Sequence, residues 1–299
     1  MPNLIRQRRL HEVWKKPGEL VQIPCNGWTF PRVFTGDLGI RFRTRSGTTP
    51  SCKNINSRGN ENMFGRVTYP GTYESKEHGF RIEHDGNSFV YLRENGNTVI
   101  EKHLPQHGTS IVVHPVEPIN LPREVTRCLE IVFPPVLMAP ESHQMIFLTF
   151  PLEYGVFFRT DEDYQLLDVF SRCIPKYSLY GTPKSGVITR YHESDISGQE
   201  KESDRTRNGI LRLEIRNESR GWVEVSRAVF DSYFMPINFD TVAGMVGEMK
   251  IYSRQMAQTN VLDRTFREGM EPALPIIRAR KIMNIDLERK GFLMEHGVG

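Results

Sequence analysis

The stretch NGILRLEIRNESRGWVEVSRAVFDSYFMPINFD, Asn208 to Asp240, decides the fold class. Leu211, Leu213 and Ile215 alternate with Arg212, Glu214 and Arg216. A period of two places one set of side chains toward a core and the other toward water, the pattern of a half-buried strand. A polar break, Asn217-Glu218-Ser219-Arg220-Gly221, leads to a second strand-like run, Trp222 to Phe230. Two such runs around a short break predict a hairpin with one packed and one solvated face, the grammar of antiparallel β proteins. Arg212, Glu214 and Arg216 are its solvated face and carry no catalytic role.

The same grammar extends in both directions. Gly79–Glu83 and Ser88–Arg93 flank Asp85-Gly86-Asn87, a strong signal for a tight hairpin turn. Asn95-Gly96-Asn97 turns the chain again into Thr98–His103. Strands are predicted at Ser110–His114, Cys128–Phe133, Gln144–Phe150, Gly155–Arg159 and Leu166–Phe170. More follow at Lys176–Tyr180, Gly186–Tyr191, Ile237–Asp240 and Glu248–Tyr252. Prolines sit at strand edges, where a residue without an N–H does least harm. Helical periodicity is nearly absent, and no repeat of propeller-blade length is found. The expected fold is all-β, an antiparallel β-sandwich or jelly-roll-like body in two sandwich-like halves. The expected divisions are a basic, poorly structured extension at 1–62, halves at 63–163 and 164–265, and a tail at 266–299 with one short helix after Pro275.

Charge separates the extension from the rest. Residues 1–62 hold 11 Lys/Arg against 4 Asp/Glu, and the other 237 residues hold 28 against 32. A net charge of +3 therefore conceals a mildly acidic body, and nucleic acid is expected as a partner only through the basic extension. That extension reads either as an arm for an anionic partner or as poorly structured chain, with Met63 opening the regular strand pattern. No apolar run is long enough to span a membrane, so no membrane insertion is expected. Cys25, Cys52, Cys128 and Cys173 are far apart and form no CxxC pair, which points to reduced thiols and a cytoplasmic location.

Two constellations invite chemistry. His103, His107, His114 and Glu117 form the densest group of metal-ligand types, since imidazole and carboxylate suit zinc or iron. Their spacing differs from the paired histidines of cupin strands, and His107 lies in a turn-like segment where solvated histidines are common. The second is YSLYGTPKSGVITRY, 177–191, where Lys176, Tyr177, Tyr180, Lys184, Arg190, Tyr191 and His192 interleave aromatic faces with cations. Gly181, Lys184, Ser185 and Gly186 do not make a phosphate loop, because the lysine precedes the second glycine and a strand, not a helix, follows. Alternation puts Arg190 and His192 on one face and Tyr191 and Glu193 on the other, so the set cannot all converge. No G-x-S-x-G elbow is present.

Four segments, HPVEPINLP (114–122), FPLEYGVFF (150–158), DVFSRCIPKYSLYGTPKSGVITRYH (168–192) and GWVEVSRAVFDSYFMPI (221–237), resemble an uncharacterised archaeal family known only as a domain of unknown function. The resemblance covers residues 63 to about 265 and implies no activity, cofactor or site residue. The leading expectation is a non-catalytic β-sandwich module that binds a partner protein or polymer through the Lys176–His192 hairpin. Alternatives are a metal-dependent or acid–base enzyme built on the His103–Glu117 group, and a self-assembling structural subunit, a homo-oligomer. No cofactor is expected unless a metal occupies that group.

Overall fold

The computed structural model describes residues 41–43, 64–68, 73–75, 79–85, 88–95, 98–104, 110–159, 163–200, 204–233, 235–277, 281–282, 285–286 and 291–298. The fold is all-β, with several largely antiparallel sheets packed together and no helix among the described residues. The described residues after Pro275 hold no helix where a short one was expected. Lys281–Ile282 pairs instead with Ile285–Asp286, and Gly291–Met294 adds to the Met256–Leu262 strand. The expected basic extension lies outside the described residues except for Arg41–Arg43, a strand paired with Thr98–Leu104.

The chain divides into two compact units, each built from discontinuous segments. Among the described residues, one comprises those of 41–115 with 154–169, the other those of 116–153 and 170–298. In the first unit a five-stranded sheet runs in the order Arg41–Arg43, Thr98–Leu104, Ser88–Asn95, Phe80–Asp85, Tyr73–Ser75. The strands expected on either side of Asp85-Gly86-Asn87 pair antiparallel, with Asp85 opposite Ser88, while Gly86 and Asn87 lie outside the described residues. A four-stranded sheet, Tyr164–Ser171, Glu153–Arg159, Ser110–Val116 and Gly65–Thr68, accompanies it. Tyr91, Phe80, Ile82 and Tyr154 are buried in this unit. Buried among them, Asp168 accepts hydrogen bonds from the Tyr91 hydroxyl at 2.8 Å, from the Val169 N–H at 2.9 Å and from Arg93.

The second unit corrects the opening expectation. Asn208–Asn217 pairs antiparallel with His143–Pro151 and parallel with Ala243–Ser253. Val223–Asp231 pairs with Cys128–Met138 in a different, four-stranded sheet. The two runs are therefore no hairpin but the two sides of an arch between sheets. Asn217 explains the difference. Its Nδ2 donates to the carbonyls of Ala139 and Gly221, at 2.8 and 2.9 Å, and its Oδ1 accepts from the N–H and hydroxyl of Ser219. A 1 % exposed side chain thus occupies the polar groups that a hairpin turn would pair with itself. Leu211, Leu213 and Ile215 are fully buried, as the alternation requires, while Arg216 on the other face is exposed.

The two sheets of this unit meet closely at Gly247, where a Cβ would lie 3.1 Å from both Leu211 Cδ1 and Phe230 Cε1. A side chain there would have to displace Leu211 or the Phe230 ring by a few tenths of an ångström, so glycine suits this close approach. Phe230 is 1 % exposed, a burial that contributes roughly 1.5–3 kcal/mol.

Candidate functional site

The four-stranded sheet runs in the order Lys176–Tyr180, Val187–Glu193, Cys128–Met138, Val223–Asp231. Lys176–Tyr180 and Val187–Glu193 form the expected hairpin, and Val187–Glu193 then lies parallel to Cys128–Met138. Directly paired residues share a side of a sheet. Leu129 and Ile131, Ala228 and Phe230 therefore define the core side, together with Arg190 and His192. Glu130, Val132, Thr189, Tyr191, Glu193 and Arg227 lie on the opposite side.

This register separates the expected binding residues. On the core side, Arg190 is 2 % exposed and makes an ion pair with Glu153, itself 1 % exposed. Glu153 also accepts the Asn120 N–H at 2.9 Å, and the Asn120 side chain donates to the Tyr177 hydroxyl at 3.2 Å. His192 Nε2 lies 2.9 Å from Thr149 Oγ1. On the other side, Lys176 is exposed opposite Tyr191. The buried Tyr180 hydroxyl donates to the His296 carbonyl at 2.8 Å and accepts the His296 N–H at 2.9 Å. Lys184 is exposed in the hairpin loop. Arg190 is thus held in the interior and His192 is half-buried on the same side, while Lys176 is exposed and Tyr191 half-exposed on the other.

Burial pushes the His192 imidazole down to about 4, helped by the nearby Arg190 charge. The sign of the consequence follows. The unfolded chain takes up this proton near the ordinary histidine value of about 6.5, whereas the folded chain resists until about 4. Stability from this group is complete above 6.5 and is lost as pH falls through 4. His192→Gln should therefore show a shallower fall in denaturant midpoint between pH 7.5 and 4.5 than the wild type. An unchanged slope would contradict the buried neutral imidazole.

The metal-ligand group is dispersed. His103 is exposed, with Nε2 3.5 Å from Glu101 Oε1. His114 is half-buried, edge-on to Phe157 at 6.1 Å, and burial pushes it down to about 4. Glu117, in the other unit, accepts the Ile276 N–H at 3.0 Å, and burial pushes its carboxyl up to about 7. His107 lies outside the described residues. Among those residues, no three His, Cys, Asp or Glu side chains form a group that could hold a metal. Cys128 and Cys173 are free thiols, and burial raises the pKa of both.

The side that carries Tyr191 has two features that local sequence pattern does not reveal. The first is a buried floor. Glu130 accepts from the Ser178 and Thr189 hydroxyls at 2.5 and 2.7 Å and from Arg227 Nη1 at 2.9 Å. The second is a pocket of about 340 Å³ beside it, lined by Val132, Phe133, Pro134, Tyr191, Glu193, Ser194 and Asp195. It opens where Val187–Glu193 ends and its neighbour continues. Pro134 and Pro135 have no N–H to offer a ladder, and between the pairs Val225–Val136 and Arg227–Val132 the register shifts. At its rim the Tyr191 hydroxyl donates to Glu193 Oε1 at 2.7 Å. Desolvation and the Glu193 and Glu130 carboxylates push the Tyr191 phenol up to about 12, so it stays a neutral donor.

A family model whose description is "Protein of unknown function (DUF432)" matches residues 63–295. The match starts where the strand pattern becomes regular and runs past 265 through most of the tail. No curated protein matches the chain. No solved structure matches it. Among the described residues no helix is long and apolar enough to cross a membrane.

Proposed function

The chain belongs to this DUF432 family, which assigns it no activity, and we propose that it is a non-catalytic binding module whose contact surface is the open Tyr191–Asp195 end of the four-stranded sheet. The open pocket at Tyr191–Asp195 carries this reading. At the end of the Lys176–His192 region it brings the Tyr191 ring and the Glu193 and Asp195 carboxylates to one open depression, with the exposed Lys176 paired opposite Tyr191. The groups with chemical promise elsewhere in the region, Arg190, His192 and Glu153, are engaged in interior contacts that support the sheet. The contact region therefore centres on Tyr191 and Glu193 and is narrower than the whole hairpin.

The test compares immobilised wild-type protein with Tyr191→Ala and Glu193→Ala for what each retains from cell extract. Both side chains are at the surface, so thermal midpoints should stay within a few degrees of wild type. The wild type should retain a partner, whether protein, polymer or a second copy of the chain, that both variants lose. Identical retained sets would overturn the assignment of this surface.

A further inference from the structure

We infer that Glu117 is a proton-controlled latch within the second unit. Protonated, it holds the chain at Ile276–Ile277 against the interior; ionised, it lets that segment go. This device is separate from the contact surface proposed above.

The geometry comes first. Glu117 is 1 % exposed, and its Oε2 accepts the Ile276 N–H at 3.0 Å. The Ile277 N–H lies beside the same carboxyl. Its Oε1 is buried and has no hydrogen-bond partner among the described residues. A side chain from one end of the unit's sequence thus fastens a backbone segment 159 residues away. The preceding residues are held by other means. Ala273 donates to the Ile237 carbonyl at 2.8 Å, and Glu271–Pro272 pairs with Asn238–Phe239. Release at Glu117 is therefore local to Ile276–Ile277.

The second observation is the charge around the latch. Glu153, also 1 % exposed, acts on Glu117 through its own negative charge. Arg190 is paired with Glu153, and among the described residues no cation pairs with Glu117. Residues 273–277, Ala-Leu-Pro-Ile-Ile, bring no charge of their own. Two buried carboxylates therefore face one guanidinium. A carboxylate with a bare oxygen in such a place is costly as an anion and takes up a proton instead.

The direction of the switch follows from that proton. Burial pushes the Glu117 carboxyl up to about 7, and the Glu153 charge adds to the shift. The N–H groups of Ile276, Glu117 and Ile277 favour the charged form but are outweighed. Released into water, the group returns to its ordinary value of 4.5. Attachment is therefore complete below 4.5 and is lost as pH rises through 7. His192 has the opposite sign, so the two groups are told apart by pH as well as by place.

Hydrogen exchange of the full chain between pH 5 and 8, read by mass spectrometry and corrected for intrinsic amide rates, tests the latch. In the wild type, protection at Ile276–Ile277 relative to Asn208–Asn217 should fall about tenfold or more over this range. Glu117→Gln keeps an oxygen for the Ile276 N–H but has no proton to lose, so its relative protection should stay level. Wild-type protection that is flat or rises with pH, or an equal fall in Glu117→Gln, would overturn the inference. If Glu117→Gln does not fold, the wild-type profile decides alone: a fall supports the latch and a flat profile overturns it.

Discussion

Arg190→Ala destabilises the second unit by about 3–5 kcal/mol, although sequence pattern places Arg190 in an exposed, tyrosine-rich hairpin. The loss comes from the partner left behind. Glu153 is 1 % exposed, and without the guanidinium its carboxylate has no cation within its buried contacts. Removing one member of a buried pair costs far more than the pair is worth, because an uncompensated charge stays out of water. Glu153→Gln should be milder than Glu153→Ala, since an amide oxygen can still accept the Asn120 N–H that the carboxylate now holds at 2.9 Å. Lys176→Ala and Lys184→Ala, exposed members of the same hairpin, should change stability by less than about 0.5 kcal/mol. Urea unfolding of the five variants measures the contrast. Equal, small effects at Arg190 and Lys184 would show that Arg190 is not buried against Glu153.

Asp168→Ala has a comparable effect on the other unit, again about 3–5 kcal/mol. Its carboxylate takes the Tyr91 hydroxyl, Arg93 and the Val169 N–H, with Tyr91 at 0 % and Arg93 at 7 % exposure. Burial also lowers the pKa of Lys102, which donates to the Leu167 carbonyl close by. The carboxylate therefore offsets positive charge in a region poor in water. Asp168→Asn keeps the shape but not the charge and should fall between Asp168→Ala and wild type. Hydrogen exchange localises the damage: protection should fall in Phe80–Asp85, Ser88–Asn95 and Thr98–Leu104 and hold in Asn208–Asn217. A loss below about 1 kcal/mol would mean that the network contributes little.

Local pattern made the strands readable and left their partners hidden. The alternation of Leu211, Leu213 and Ile215 and the pairing of the strands that flank Asp85 and Ser88 are written in neighbouring residues, and both are found as read. Met256–Leu262 was omitted, although Ala257, Thr259 and Val261 alternate into the core there. Its polar residues, Gln258, Thr259 and Asn260, weaken the hydrophobic signal. The hairpin expected across Asn217–Gly221 failed for another reason. A short polar break fits a hairpin and an arch equally well, and the hydrogen bond from Asn217 to Ala139 that selects the arch spans 78 residues.

The candidate site was legible to the same degree. Alternation alone separated Arg190 and His192 from Tyr191 and Glu193, and that separation is present. What no local pattern could supply was which side faces the core. The parallel pairing of Arg190 with Leu129 decides it, between residues 61 positions apart. The pocket depends on that pairing ending beside Pro134, so Glu193 and Asp195 looked like an ordinary solvated strand end.

Position-specific photo-cross-linking gives the most direct test of the binding surface. A benzoylphenylalanine is placed at Tyr191 in one sample and at Tyr252, in the seven-stranded sheet, in another. Both residues carry exposed surface, so reagent access does not separate them. The Tyr191–Asp195 end of the four-stranded sheet, as contact surface, predicts a partner adduct from position 191 and none from position 252. Adducts in equal yield at both positions, or at 252 alone, would contradict it.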